Sequence, residues 1–226
     1  MSAETICTVN ESNKKAPLFV LSAGVLWGII GIFSNVLSKG GMSPLQITES
    51  RCAVSAVCLF FYLLATDREK LKINIRDIWM FVGTGVCSIA FFNICYFTCI
   101  NLTSLSTAAI LLYTSPCFVM VLSCIIFKEK LTRLKLIALF AAFTGCAAVL
   151  GVFSVEMKIT AFGLLVGLGS GLGYGLYSIF GRFALKKYTS LTIIFYTFLI
   201  AAVFLMPLCS VTQMAQITAS NILLPV

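Results

Sequence analysis

The sequence contains no histidine, and of its eight acidic residues only two are aspartates, Asp67 and Asp77, ten positions apart. Those scarcities remove whole chemistries. A Ser-His relay and a histidine-bearing zinc site lack their central residue, two aspartates in one short segment cannot supply a dyad from two helices, and no G-x-S-G surrounds Ser170. An intramembrane enzyme is therefore not expected. The ten cysteines, at 7, 52, 58, 87, 95, 99, 117, 124, 146 and 209, form no C-x-x-C and lie nearly all in apolar runs. They read as small packing residues, with neither a metal nor any other cofactor implied. Charge is scarce as well, at 11% of residues against 60% hydrophobic, with a mean hydropathy of +1.04. A soluble domain needs more polar surface than this, so the chain reads as an all-α integral membrane protein whose first partner is the lipid bilayer.

What charge there is carries direction. Lys and Arg number sixteen against eight Asp and Glu. Thirteen of them, Lys14, Lys15, Arg68, Lys70, Lys72, Arg76, Lys128, Lys130, Arg133, Lys135, Arg182, Lys186 and Lys187, flank apolar runs on one side, against Lys39 and Lys158 on the other and Arg51 within a run. Such a bias orients a protein rather than binding nucleic acid, and it predicts a cytoplasmic N-terminus, in the plasma membrane. It also opposes a seven-span receptor with its N-terminus outside, and no lysine lies in the last span to hold a retinal.

Seven spans are expected after a polar tail at residues 1–15: about 17–38, 44–65, 78–100, 105–127, 134–153, 162–185 and 190–209, with an eighth beginning near 222. The apolar run near the N-terminus is too long for a signal peptide. Leu105 to Phe127 carries no charge over twenty-three residues, roughly 34 Å of helix, which is enough to cross a bilayer. Ser43-Pro44-Leu45-Gln46 has the form of a helix start, with Ser as N-cap, Pro at N1 and Gln reaching back. In GLGSGLGYG, Gly167, Gly171 and Gly175 share one helix face and Gly169 and Gly173 another, so two neighbours can approach closely.

Polar residues inside apolar spans are the candidate site. They are Trp27 and Asn35 in the first span, Glu49 and Arg51 in the second, Asn93 and Tyr96 in the third, Tyr113 and Ser115 in the fourth, and Tyr174 and Tyr177 in the sixth. Each has an alternative role in helix packing, and Arg51 is either a counter-charge for an anionic solute or an interfacial anchor. Glu49 and Arg51 stand at i and i+2 and point apart. Glu129 lies in a basic turn, where it pairs locally or serves the site.

An internal repeat also runs through the chain. At an offset of 147, Leu21, Gly24, Gly28, Ile32 and Phe33 meet Leu168, Gly171, Gly175, Ile179 and Phe180; at 146, Leu45, Ile47, Ala56, Val57 and Leu59 meet Leu191, Ile193, Ala202, Val203 and Leu205. Five spans separate equivalent points, and an odd number inverts the second copy. Leu26-Trp27-Gly28, Pro44, Arg51, Ala108 to Pro116, Glu129 and Gly145 together resemble EamA-type transporters of the drug/metabolite transporter superfamily, with departures at Ala138 and Gly173-Tyr174-Gly175. The resemblance implies one whole five-span repeat at 16–153 and the first two spans of a second, inverted repeat at 162–226. It implies a secondary transporter of a small metabolite, amino acid or drug-like solute by alternating access, with a proton or other coupling ion and a homodimer among its partners. The alternative is a truncated fragment of such a carrier that does not transport by itself.

Overall fold

The structure, a computed structural model, describes residues 17, 21, 22, 24 to 26, 29, 33, 36 to 149 and 160 to 209. Trp27, Asn35, the 1–15 tail, the end of the fifth span and the segment after 209 lie outside the described residues. The chain divides into two compact units, Met1–Ile47 with Thr212–Val226, and Thr48–Val211.

In the smaller unit every described position between 17 and 39 is helical (α1). The helix closes through Gly40 N–H to Val36 O at 3.0 Å, and Gly41 takes a φ of +92° that a side chain would resist. Ser43 then starts α2 (Pro44–Thr66) through the expected reciprocal box: Gln46 N–H donates to Ser43 Oγ at 3.3 Å, and Ser43 N–H donates to Gln46 Oε1 at 2.8 Å.

The larger unit holds the rest of α2 and five further helical rods: α3 (Ile75–Leu102), α4 (Leu105–Phe127), α5 (Arg133–Val149), α6 (Ala161–Ala184) and α7 (Ser190–Leu208). Among the described residues, five of these rods, α2, α3, α4, α6 and α7, are long and apolar enough to cross a membrane, and α5 is described only as far as Val149. Two are not the plain helices expected. In α3 the stretch Gly83–Ala90 is π-helical. Its buried glycines admit neighbours: a Cβ on Gly85 would stand 2.9 Å from Thr197 O, and one on Gly83 would enter the Phe180 ring. The wider turn is fastened by Thr84 and Thr197, whose hydroxyls meet at 2.6 Å in full burial.

The second departure corrects the reading of α4 as one uninterrupted helix. It is two helices, Leu105–Leu112 and Ser115–Phe127, broken at Tyr113 and Thr114. Pro116 has no N–H to bond backward and is tolerated only in a first turn, so a new helix starts at Ser115. The hydroxyl of Thr114 donates to Leu111 O at 2.6 Å, closing the first piece.

α6 is the hub, and its glycines behave as the two-face pattern predicts. A Cβ on Gly171 would lie 2.6 Å from Thr114 Oγ1 and 2.9 Å from Leu111 O, and one on Gly175 would lie 3.3 Å from Ser115 O, so this face presses on α4. On the other face Gly169 meets Cys95 and Phe91, and Gly173 meets Phe92 N at 3.1 Å, so it presses on α3. α2 and α7 run antiparallel, with Cys52 clustered with Ala201 and Ala202 while Phe60 stacks on Phe195.

Candidate functional site

The α4 break, α3 and α6 together assemble a group of phenols. Phe92 stands at its centre, 5.7 Å from the Tyr96 ring and 5.4 Å edge-on from Tyr174. Tyr113, at the end of the first α4 piece, interacts electrostatically with both Tyr96 and Tyr174, and Tyr177 with Tyr174. Backbone proximity at Gly171 and Gly173 brings these rings together. Tyr113, Tyr174 and Tyr177 remain 49%, 41% and 38% exposed, and among the described residues none of the four phenols, Tyr96 included, makes a hydrogen bond. Each therefore has a donor and acceptor to offer a ligand.

Two other tyrosines show the contrast. Tyr188 Oη donates to Asp77 Oδ2 at 2.8 Å and accepts from Asn74 N–H at 3.0 Å, and Tyr196 Oη donates to Leu71 O at 2.6 Å. Those phenols are structural.

Other predicted residues divide. Ser115 is buried in the second α4 piece next to the phenols. Asn93 is buried and committed: its Nδ2 donates to Ile89 O at 2.7 Å and its Oδ1 accepts from Thr48 Oγ1 at 3.1 Å, which ties α3 to α2. Glu49 is buried while Arg51 is exposed, as their spacing requires, and neither makes a salt bridge among the described residues. Glu49 lies near the thiols of Cys52 and Cys209.

A groove of about 580 Å³ leads from the phenols between α4, α5 and α6, lined by Tyr174, Ser115, Ser123, Ser178, Glu129 and Lys135 among others. A comparable hollow beside the π-helical stretch, about 590 Å³, is lined only by apolar residues such as Val86, Leu199 and Phe204 and offers nothing to specify a polar solute.

The groove ends at the basic end of the bundle. Here Glu129 is paired with Arg182 of α6, 53 residues away, and with Lys135 of α5 at 3.2 Å. Hydrogen bonds from Arg182 first and Lys135 second hold its carboxyl below the usual glutamate range. Arg182 also lies over the Phe127 ring at 4.2 Å. The turn that aims Glu129 is closed by Lys128, the only non-glycine residue with a positive φ (53°) among those described. Sequence reasoning missed the Arg182 partner, which only tertiary packing reveals.

Residues 14–151 and 161–226 match the model of the EamA-like transporter family. The chain is 26% identical over 187 residues to the uncharacterized transporter YyaM of Bacillus subtilis, covering 81% of this chain and 61% of that protein. An uncharacterized transporter of Archaeoglobus fulgidus is 31% identical over 192 residues (83% and 63%), and one of Haemophilus influenzae is 26% identical over 218 (91% and 69%). The chain thus spans about 61% of the length of YyaM. No solved structure matches.

Proposed function

Because the chain belongs to the EamA-like transporter family, we propose that it carries a small metabolite, amino acid or drug-like solute across the cytoplasmic membrane by alternating access. The observation that carries this reading is the group of unbonded phenols on Tyr96, Tyr113, Tyr174 and Tyr177, set inside membrane-spanning helices where polar groups without partners are disfavoured. A passing solute gives them partners. Ser115 lines the same region, and Trp27, Asn35, Glu49, Arg51 and Asn93 are the further candidates from the sequence.

Alternating access in this reading uses an inverted repeat. Two features support it. The offset of 146 equates the caps Ser43 and Thr189, and each hydroxyl accepts from the N–H three residues on. The same offset equates Cys52 with Phe198, and both lie in one cluster where α2 crosses α7, as a two-fold axis between copies requires. The basic end is cytoplasmic in this reading, on the strength of the charge bias. Glu49, buried and without an ion pair among the described residues, is the residue assigned to proton coupling.

The test is uptake by proteoliposomes against protein-free vesicles, using a panel of labelled amino acids, amines and organic acids. Tyr113→Phe and Tyr174→Phe should lower uptake while leaving the protein monodisperse, and Glu49→Gln should remove any dependence on a pH gradient. Uptake of no solute, or full uptake by both tyrosine variants, would refute the reading.

A further inference from the structure

We infer that Glu129 is the gate of the groove: its pairs with Arg182 and Lys135 bar the basic end, and their release opens a way between that end and the phenols around Tyr174. The inference rests on the transport reading, to which it adds the moving part.

Three observations carry it. First, the groove carries polar groups in an otherwise apolar lining. Ser115, Ser123 and Ser178 line it together with Tyr174, Glu129 and Lys135. Second, Glu129 joins all three of the groove's walls at its end. Its own chain leaves α4, Arg182 belongs to α6 and Lys135 to α5.

Third, the fastening of the basic end is lopsided. The turn after α6 is held toward α3 by a partly buried system: Asp77, 6% exposed, receives Tyr188 Oη at 2.8 Å and the Nζ of Lys187, itself a half-exposed side chain, at 2.6 Å, while the Tyr188 ring packs 5.3 Å from the wholly buried Phe81. Thr192 and Tyr196 add hydrogen bonds to Lys70 O and Leu71 O. Toward α5 the only ion pairs among the described residues are those of Glu129, whose side chain is 31% exposed and whose two partners, Arg182 and Lys135, are 48% and 50% exposed. α5 itself leaves every side chain from Arg133 to Gly145 exposed except Leu139. Exposed pairs contribute little, and loosely packed elements open first, so this is the side that yields.

The experiment reads access rather than transport. Ser123 lies in the groove and is nine-tenths buried, so Ser123→Cys, in a chain whose native cysteines are replaced, reports opening by its rate of reaction with a charged thiol reagent in nanodiscs. Glu129→Gln should raise that rate about fivefold, the upper end of what an exposed pair contributes to a two-state equilibrium. Exchanging all three charges, Glu129→Arg with Arg182→Glu and Lys135→Glu, should restore the slow rate. If the cysteine-replaced chain is not monodisperse, the native Cys124, which also lines the groove, is followed by peptide mass spectrometry in the otherwise unaltered protein. An unchanged rate in Glu129→Gln, or an exchange that reacts as fast as the single variant, overturns the gate. Rates that respond as expected in a chain that moves no solute uphold the gate and refute transport.

Discussion

Replacing Gly171 by alanine should destabilise the bundle, and replacing Gly169 two residues earlier should not. A Cβ at 171 would meet Thr114 Oγ1 at 2.6 Å and Leu111 O at 2.9 Å. Neither can retreat easily. The Thr114 hydroxyl is itself bonded to Leu111 O at 2.6 Å, and the carbonyl belongs to the end of a helix. At 169 the nearest atoms are Cys95 Sγ at 3.5 Å and Phe91 Cζ at 3.7 Å, which is ordinary contact. Overpacking costs about 1–3 kcal/mol, and removing a helical glycine returns up to about 1 kcal/mol. The second effect is common to both variants and cancels between them. Gly171→Ala should therefore fall below Gly169→Ala by about 1–3 kcal/mol, or roughly 2–12 °C in apparent melting temperature for a chain of this size. Heating detergent-solubilised protein and following the monodisperse peak by size exclusion measures the difference. Equal stability of the two variants would refute the close approach of α6 to the α4 break.

The buried hydroxyl pair of Thr84 and Thr197 should be coupled. In a double-mutant cycle with Thr84→Val and Thr197→Val the interaction should be about 0.6 kcal/mol, and not above about 1.7, whereas strictly additive single effects would remove the bond from the π-helical stretch. Glu129, whose carboxyl is held below its usual range by Arg182 and Lys135, contributes stability that is fully present above the unfolded pKa of about 4.3 and lost as pH falls through the lower folded value. The stability difference between wild type and Glu129→Gln should thus be level from about pH 5 to 8 and shrink in acid; a difference that grows on acidification contradicts the pairing. The charge bias predicts that the N-terminus is inside, so single cysteines at positions 70 and 130 should resist an impermeant reagent applied to intact cells, and strong labelling from outside would reverse the topology.

The features legible in the sequence are those fixed over a few residues. The Ser43–Gln46 box spans one turn, so residue types at i and i+3 suffice to specify it. The two glycine faces of α6 follow from helical period alone, although which neighbours they meet does not. Pro116 after Thr114-Ser115 was an available sign of the α4 break and lost to the length of the uncharged run around it. The π-helical stretch had no such sign, because it depends on the Phe180 ring and Thr197 O arriving from α6 and α7. Asn93 reads in sequence as a polar lining residue, and only the structure shows its amide spent on Ile89 and Thr48. Glu129 was placed correctly in a basic turn, but its Arg182 partner comes from 53 residues away.

The glycines of α6 also have a mechanical consequence. At Gly171, Gly173 and Gly175 the neighbours include peptide atoms of Leu111, Phe92 and Ser115, not side-chain tips alone. A side chain absorbs displacement by changing rotamer, whereas a peptide group already bonded along its own helix transmits it. Sliding or rolling α6 toward either partner would bring peptide groups against one another, with no side chain between them to yield. The three helices are thus bound into a stiff plate, and compliance is left to parts whose neighbours touch them only through side chains. A motion that keeps these contacts moves that plate whole, so it leaves the spacing between the rings of Phe92, Tyr96 and Tyr174 largely unaltered.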